Sequence, residues 1–117
     1  MVDSEQLLKD MGARIAQRRK QMRLTQDELA ERMDVTPQMI STAELGKKAI
    51  RPENLLKLCE ALEVSADYLL AGFIGEKDVA LIAQKLRLLP PKQFRVAEDI
   101  LDGCLKLVSE NDMNATP

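Results

Sequence analysis

The chain has 117 residues, room for one small domain with a helical appendage, and its 45% hydrophobic and 31% charged make-up is that of a soluble globular protein. Aromatics amount to 3% with no Trp, so Leu, Ile, Val, Met and Ala must build the core, which favours an all-α fold over sheets. With no His, no C-x-x-C pair and no Gly-rich phosphate loop, zinc sites built from Cys and His clusters are excluded, and no metal, no cofactor and no enzymatic activity are expected.

The net charge of −2 is unevenly spread. Residues 1–8 carry −2; residues 9–51 hold ten Lys/Arg against six Asp/Glu, and residues 52–117 hold seven against eleven. A basic block followed by an acidic one points to a polyanion met by the first half alone. No apolar run approaches the ~20 residues of a membrane span. The opening VDSEQLLKD lacks the order of a signal peptide, so a cytoplasmic protein without membrane contact is expected. Cys59 and Cys104 sit at helical apolar positions and are expected to pack as small hydrophobes.

A first helix spans 4–22, with Leu8, Met11, Ile15 and Met22 on one stripe and Arg14, Arg18, Arg19 and Lys20 crowding it. Gly12 weakens it, so it is expected to start in effect near Asp10, behind a loose arm. Thr25 and Glu28 form a capping box for a second helix over 26–33, with Leu29, Ala30 and Met33 inward. Asp34 breaks that helix, and Thr36-Pro37 starts a third, ended by Gly46, with Ile40 and Ala43 inward. A basic loop, 47–51, leads to a fourth helix over 52–62, with Leu55, Leu58, Cys59 and Leu62 toward the core. Ser65 caps a short fifth helix that Gly72 closes.

The second and third helices have the make-up of a helix-turn-helix. Ala30 is small where the two must cross, Asp34 tolerates a left-handed turn, and Ile40 anchors the third helix. Gln38, Ser41 and Thr42 then point outward together, and such side chains suit base edges in a major groove about 12 Å wide. Gln26 opens the second helix where N–H groups favour a phosphate. Lys47, Lys48 and Arg51 follow the reading helix, where backbone contacts fix register.

The stretch RIAQRRKQMRLTQDELAERMDVTPQMISTAELGKKAIRPENLLKLCEALEVSADYLL resembles the Cro/cI family of bacterial and phage repressors, also called xenobiotic-response-element-type regulators. The likeness covers residues 11–72. Its markers are the Arg-rich end of the first helix, LTQDELA, the IS-x-x-E-x-G-K run and the closing VSADYLL. It implies a five-helix, lambda-repressor-like DNA-binding domain. By position it implies that Gln26 holds a phosphate and braces Gln38. Pro37, Gln38, Ser41 and Thr42 would read bases, and Lys47, Lys48 and Arg51 would grip the backbone of double-stranded DNA. Arg19 and Glu44 would form an internal ion pair. Two positions depart from the family: Asp34 stands for the usual Gly, and Pro37 for a polar reader. Larger members carry a self-cleaving Ser/Lys domain; the roughly 45 residues after Gly72 are too few for it and read as helices.

Those residues put Val79, Ile82, Leu86 and Leu89 on one face of a sixth helix over 76–88. Pro90-Pro91 interrupts, and Phe94, Ala97, Leu101, Cys104, Leu105 and Val108 form a stripe down a seventh, to about Ser109. Around KQFR this pair resembles the multimerisation hairpin of Sin-type regulators. The expected organisation is a DNA-binding domain, 1–74, a helical dimerisation hairpin, 75–110, and a disordered tail, 111–117. A homodimeric repressor on a palindromic operator is the leading reading. Two others stay open: an antitoxin whose C-terminal segment neutralises a toxin, and a protein-bridging module that keeps the fold without an operator.

Overall fold

The computed structural model describes residues 3–115, with side chains to residue 110. It is all-α, with seven helices in the described part. Helix α1 (Ser4–Gln21) is capped by Asp3, whose carboxylate accepts from the N–H groups of Glu5 and Gln6. It therefore starts at Ser4, and the loose arm ahead of Asp10 is not found. Gly12 is no weak point, because α1 crosses the end of α3 (Pro37–Glu44) too closely for a side chain. A Cβ there would run into the carbonyl oxygens of Ala43 and Glu44. A Cβ at Gly46, where φ is 67°, would likewise come within 2.8 Å of the backbone of Leu8 and Lys9. The two glycines mark one crossing of main chain on main chain.

Helix α2 (Gln26–Met33) opens on the capping box: Glu28 N–H donates to Thr25 Oγ1 and Thr25 N–H donates to Glu28 Oε1, both at 3.0 Å. Asp34 follows at φ 54°, ψ 49°, the left-handed conformation the turn requires. Thr36 caps α3 through Met39 N–H. Helices α4 (Pro52–Leu62) and α5 (Ala66–Ala71) complete the group, with Glu63 at φ 55° between them and Gly72 at φ 78° after them. Ile15, Leu29, Ile40, Leu58, Leu62 and Leu69 are fully buried. Ala30 and Met33 close the gaps around them, and Met22 and Met39 pack at the border.

Helices α6 (Glu76–Arg87) and α7 (Pro91–Ala115) come next in the chain. The compact units divide between Leu81 and Ile82, inside α6 rather than ahead of it. On the first unit's side of that division, Asp78 is buried in the first turn of α6, where its carboxylate accepts from Ser65 N–H at 2.8 Å, Ser65 Oγ–H at 2.6 Å and Gly75 N–H at 2.9 Å. That clamp ties the start of α6 to the cap of α5, within the first unit. In the second unit, α7 runs to Ala115, beyond the end expected near Ser109. The fold of residues 116 and 117, and the side chains of 111–117, lie outside the described residues, and with them the expected disorder of that tail. No described side chain of α7 is buried. Cys59 is buried as expected, but Cys104 is exposed, since nothing in the unit covers its face of α7. None of the described helices is long and apolar enough to cross a membrane.

Candidate nucleic-acid interface

The outward face of α3 is fixed from within. Ile40, fully buried, and Ala43, at 4% exposure, leave one rotational setting, in which Gln38 and Pro37 are exposed and Ser41 and Thr42 are half-buried at the rim. Gln38 Nε2 donates to Thr42 Oγ1 at 3.3 Å, so two of the four candidate readers already touch. Beside them lies a cleft of about 370 Å³ lined by Gln38, Met39, Thr42, Lys48, Ile50 and Arg51. Lys47, Lys48 and Arg51 are exposed, and Arg51 lies 3.6 Å from Glu53, an exposed pair of small energetic weight. The loop thus brings three cations to the edge of the α3 face.

Glu44, on the last turn of α3, is held by a part-buried network. Arg19 Nε donates to Oε2 at 2.6 Å and Arg19 Nη2 to Oε1 at 3.0 Å. Arg19 Nη1 also donates to the Leu24 carbonyl at 2.8 Å. The hydrogen bond to Glu44 raises the Arg19 pKa, burial opposes it, and the attraction of the carboxylate adds to the rise. Each of the three guanidinium nitrogens thus has an acceptor, the condition under which a largely buried pair is tolerated. The pair joins α1 to α3 and contributes rigidity, not an exposed charge.

Gln26 is half-buried, and its Nε2 donates to Glu44 Oε1 at 3.0 Å. The expected brace from Gln26 to Gln38 is thus not made: Gln26 turns to Glu44 and Gln38 to Thr42. At the start of α2, Thr25 takes the N–H groups of Glu28 and Leu29, and those ahead of them have no partner within the helix. Glu28 is held below its ordinary pKa first by the Thr25 N–H and then by the Thr25 hydroxyl. Asp27 stands at the same end, so the positive charge for a polyanion comes from the loop at 47–51 rather than from this turn.

The arginines of α1 have different work from that suggested by the charge count. Arg14 Nη1 donates to the Leu69 carbonyl at 3.1 Å, and Arg18 Nε to the Leu62 carbonyl at 2.8 Å. Both carbonyls close helices, so these cations satisfy orphan acceptors and oppose the negative ends of α4 and α5. Much of the positive excess of residues 9–51 therefore binds the protein's own helix ends. Neither these bonds nor the Asp78 clamp was anticipated; for Asp78 the signal was a carboxylate three residues after Gly75, a half capping box.

Comparison with known proteins bears on the same stretch. The helix-turn-helix family is matched over residues 15–69. YqaE of Bacillus subtilis (strain 168), an uncharacterized HTH-type transcriptional regulator, is 32% identical over 97 residues, covering 79% of this chain and 84% of that protein. The P22 c2 repressor protein, solved in complex with synthetic operator 9T in the presence of Tl+, superposes with a TM-score of 0.52 at 41% identity, over 54% of this chain and 96% of that one. The clp gene regulator ClgR from Corynebacterium glutamicum superposes with a TM-score of 0.53 at 25% identity, over 87% of this chain and 93% of its own.

Proposed function

This chain belongs to the Cro/cI-like helix-turn-helix transcriptional regulators, a family of sequence-specific DNA-binding proteins rather than enzymes, and from that membership we propose that it is a cytoplasmic repressor which binds a palindromic operator as a homodimer. The observation that carries the reading is the face of α3. Ile40 and Ala43 lock the helix from inside, so Pro37, Gln38, Ser41 and Thr42 stand together at the surface. Gln38 and Thr42 offer donors and acceptors to base edges, Ser41 to either kind of edge, and Pro37 an apolar contact. Lys47, Lys48 and Arg51 grip phosphates on the far side of the groove, and the α2 N-terminus at Gln26 receives one on the near side. That the c2 relative was solved in complex with an operator supports the DNA-binding reading.

A single head of this size makes an interface of the order of 600–1,000 Å², which gives modest specificity alone. Two heads related by a two-fold axis read half-sites about 34–36 Å apart, or a multiple of that. Helix α7 supplies the surface for a symmetric partner: of the stripe Phe94, Ala97, Leu101, Cys104, Leu105 and Val108 all but the half-buried Ala97 are exposed, and the helix shows further exposed apolar residues beside that stripe.

The test is a gel shift on DNA from upstream of the protein's own gene, with random DNA as competitor. Gln38→Ala should cost about 1–3 kcal/mol on the specific site and relax preference at one base position. Lys48→Ala should weaken binding to all sequences alike and lower the salt slope by about one. If Gln38→Ala binds specific and random DNA as the parent does, the reading face is elsewhere.

A further inference from the structure

Helix α7 carries a second apolar stripe besides the one above. Val96, Ile100 and Leu107 are 53%, 64% and 61% exposed, and Gly103 completes their row. At 3.6 residues per turn this row stands about 120° round the helix from the stripe centred on Leu101. The charged residues Lys92, Arg95, Asp99, Asp102, Lys106 and Glu110 fill the remaining arc. An apolar arc that wide is more than one neighbouring helix can cover.

Gly103 is the informative member. Glycine inside a helix costs about 1 kcal/mol relative to Ala, and is kept where another backbone comes close. Gly12 shows that use in this same chain. At Gly103, however, a Cβ would meet nothing within 4 Å. Its smallness serves no contact among the described residues.

We propose that a second copy of α7 packs antiparallel on the Val96–Ile100–Gly103–Leu107 row, with the two-fold axis between Leu101 and Asp102. This rests on the homodimer reading above and narrows its α7 surface to this one row. The row is self-complementary in that register: Ile100 seats in the notch at the partner's Gly103, and Val96 packs on the partner's Leu107, each contact occurring twice by symmetry. The flanking charges agree. In antiparallel pairs the same flank of each helix meets, so Lys92 faces the partner's Glu110, and Asp99 comes beside the partner's Lys106. A parallel pairing sets Ile100 against Ile100, leaves a void between two glycines, and puts the charged flank of each helix beside the partner's uncharged flank of Gln93, Ala97 and Cys104, so no charge is paired.

Sedimentation equilibrium on the full chain, with helix content from circular dichroism, tests the seam. The parent should be a dimer. Gly103→Leu should keep or raise the helix content yet weaken the dimer about ten-fold or more, the scale of a central interface residue. Exchanging knob and notch, Ile100→Gly with Gly103→Ile, should recover most of that loss. Lys92→Glu should also weaken the dimer, and adding Glu110→Lys should restore it. A Gly103→Leu chain as dimeric as the parent overturns the seam while leaving the homodimer standing. A charge exchange that fails to restore overturns the antiparallel register. A parent that is monomeric at all concentrations overturns the homodimer reading itself.

Discussion

Helices α1 to α5 and helix α7 handle the same kind of residue in opposite ways. In the first group every large apolar stripe meets another helix: Ile15, Leu29, Ile40, Leu58, Leu62 and Leu69 have no exposed surface. In α7 the apolar residues are as regularly spaced, yet Leu101, Leu105 and Val108 remain 55–59% exposed. The two helical glycines repeat the contrast, for Gly12 lies against main chain and Gly103 against nothing. Periodicity therefore says that a face will be covered, but not by which molecule. The five-helix group is finished within the chain; in the proposed homodimer, α7 is half of an interface.

Substitutions can break or sharpen that difference. The largest effect is expected for Ile40→Ala, which opens a cavity at the α2–α3 crossing and should cost on the order of 2–5 kcal/mol by urea or thermal unfolding. Leu107→Ala, of similar size, should change the stability of the dilute monomer by no more than about 0.5 kcal/mol, because the side chain is already exposed. Equal losses at the two sites would erase the distinction.

Asp78→Asn should come next, at about 1.5–3 kcal/mol, because hydrogen bonds to an ionised carboxylate are lost. Burial alone would raise the Asp78 pKa, but the bonds from Ser65 and Gly75 outweigh it and hold the pKa below the ordinary value of 3.8. A depressed native pKa gives stability that is complete above the ordinary value and is lost as pH falls through it toward the native one. Acid unfolding of the parent should thus carry a step below pH 3.8 that Asp78→Asn lacks. Superposable acid profiles would remove the clamp from the account.

Gly12→Ala should destabilise by about 1–3 kcal/mol despite the better helix propensity of Ala, because main chain must move to admit the Cβ. Gly103→Ala in the dilute monomer should instead stabilise by up to about 1 kcal/mol. The smallest effect belongs to Asp34→Gly, expected to be neutral or stabilising by a few tenths of a kcal/mol, since glycine adopts the observed positive φ without strain. A clear drop in Tm for Asp34→Gly would count against that turn.

The fold of the first group was legible in the sequence because its signals are local. Thr25 with Glu28, Thr36 with Pro37, Ser65, Gly46 and Gly72 each fix a helix end from neighbouring residues, and Asp34 marks its own turn. What was not legible depends on distant partners. An arginine that closes a helix and one that meets a phosphate are the same letter, so the charge count could not separate Arg14 and Arg18 from Lys47 and Lys48. Gly12 read as a weakness because its reason, the carbonyls of Ala43 and Glu44, lies on another helix. Arg23 and Glu63 take positive φ with nothing in their residue type to announce it. For the candidate site, the outward set of α3 followed directly from the inward positions of Ile40 and Ala43. The link from Gln26 to Glu44 needed coordinates.

In the proposed homodimer, two copies of the α3 face read one symmetric DNA site. Selection of bound sequences from a random pool by the full chain tests it most directly. The expected result is an inverted repeat whose half-site centres lie one helical turn, about 34–36 Å, or a multiple of that apart, with preference at the base facing Gln38 relaxed in Gln38→Ala. Recovery of unrelated sequences, or of a single unrepeated site that the Gln38→Ala chain selects equally well, would contradict it.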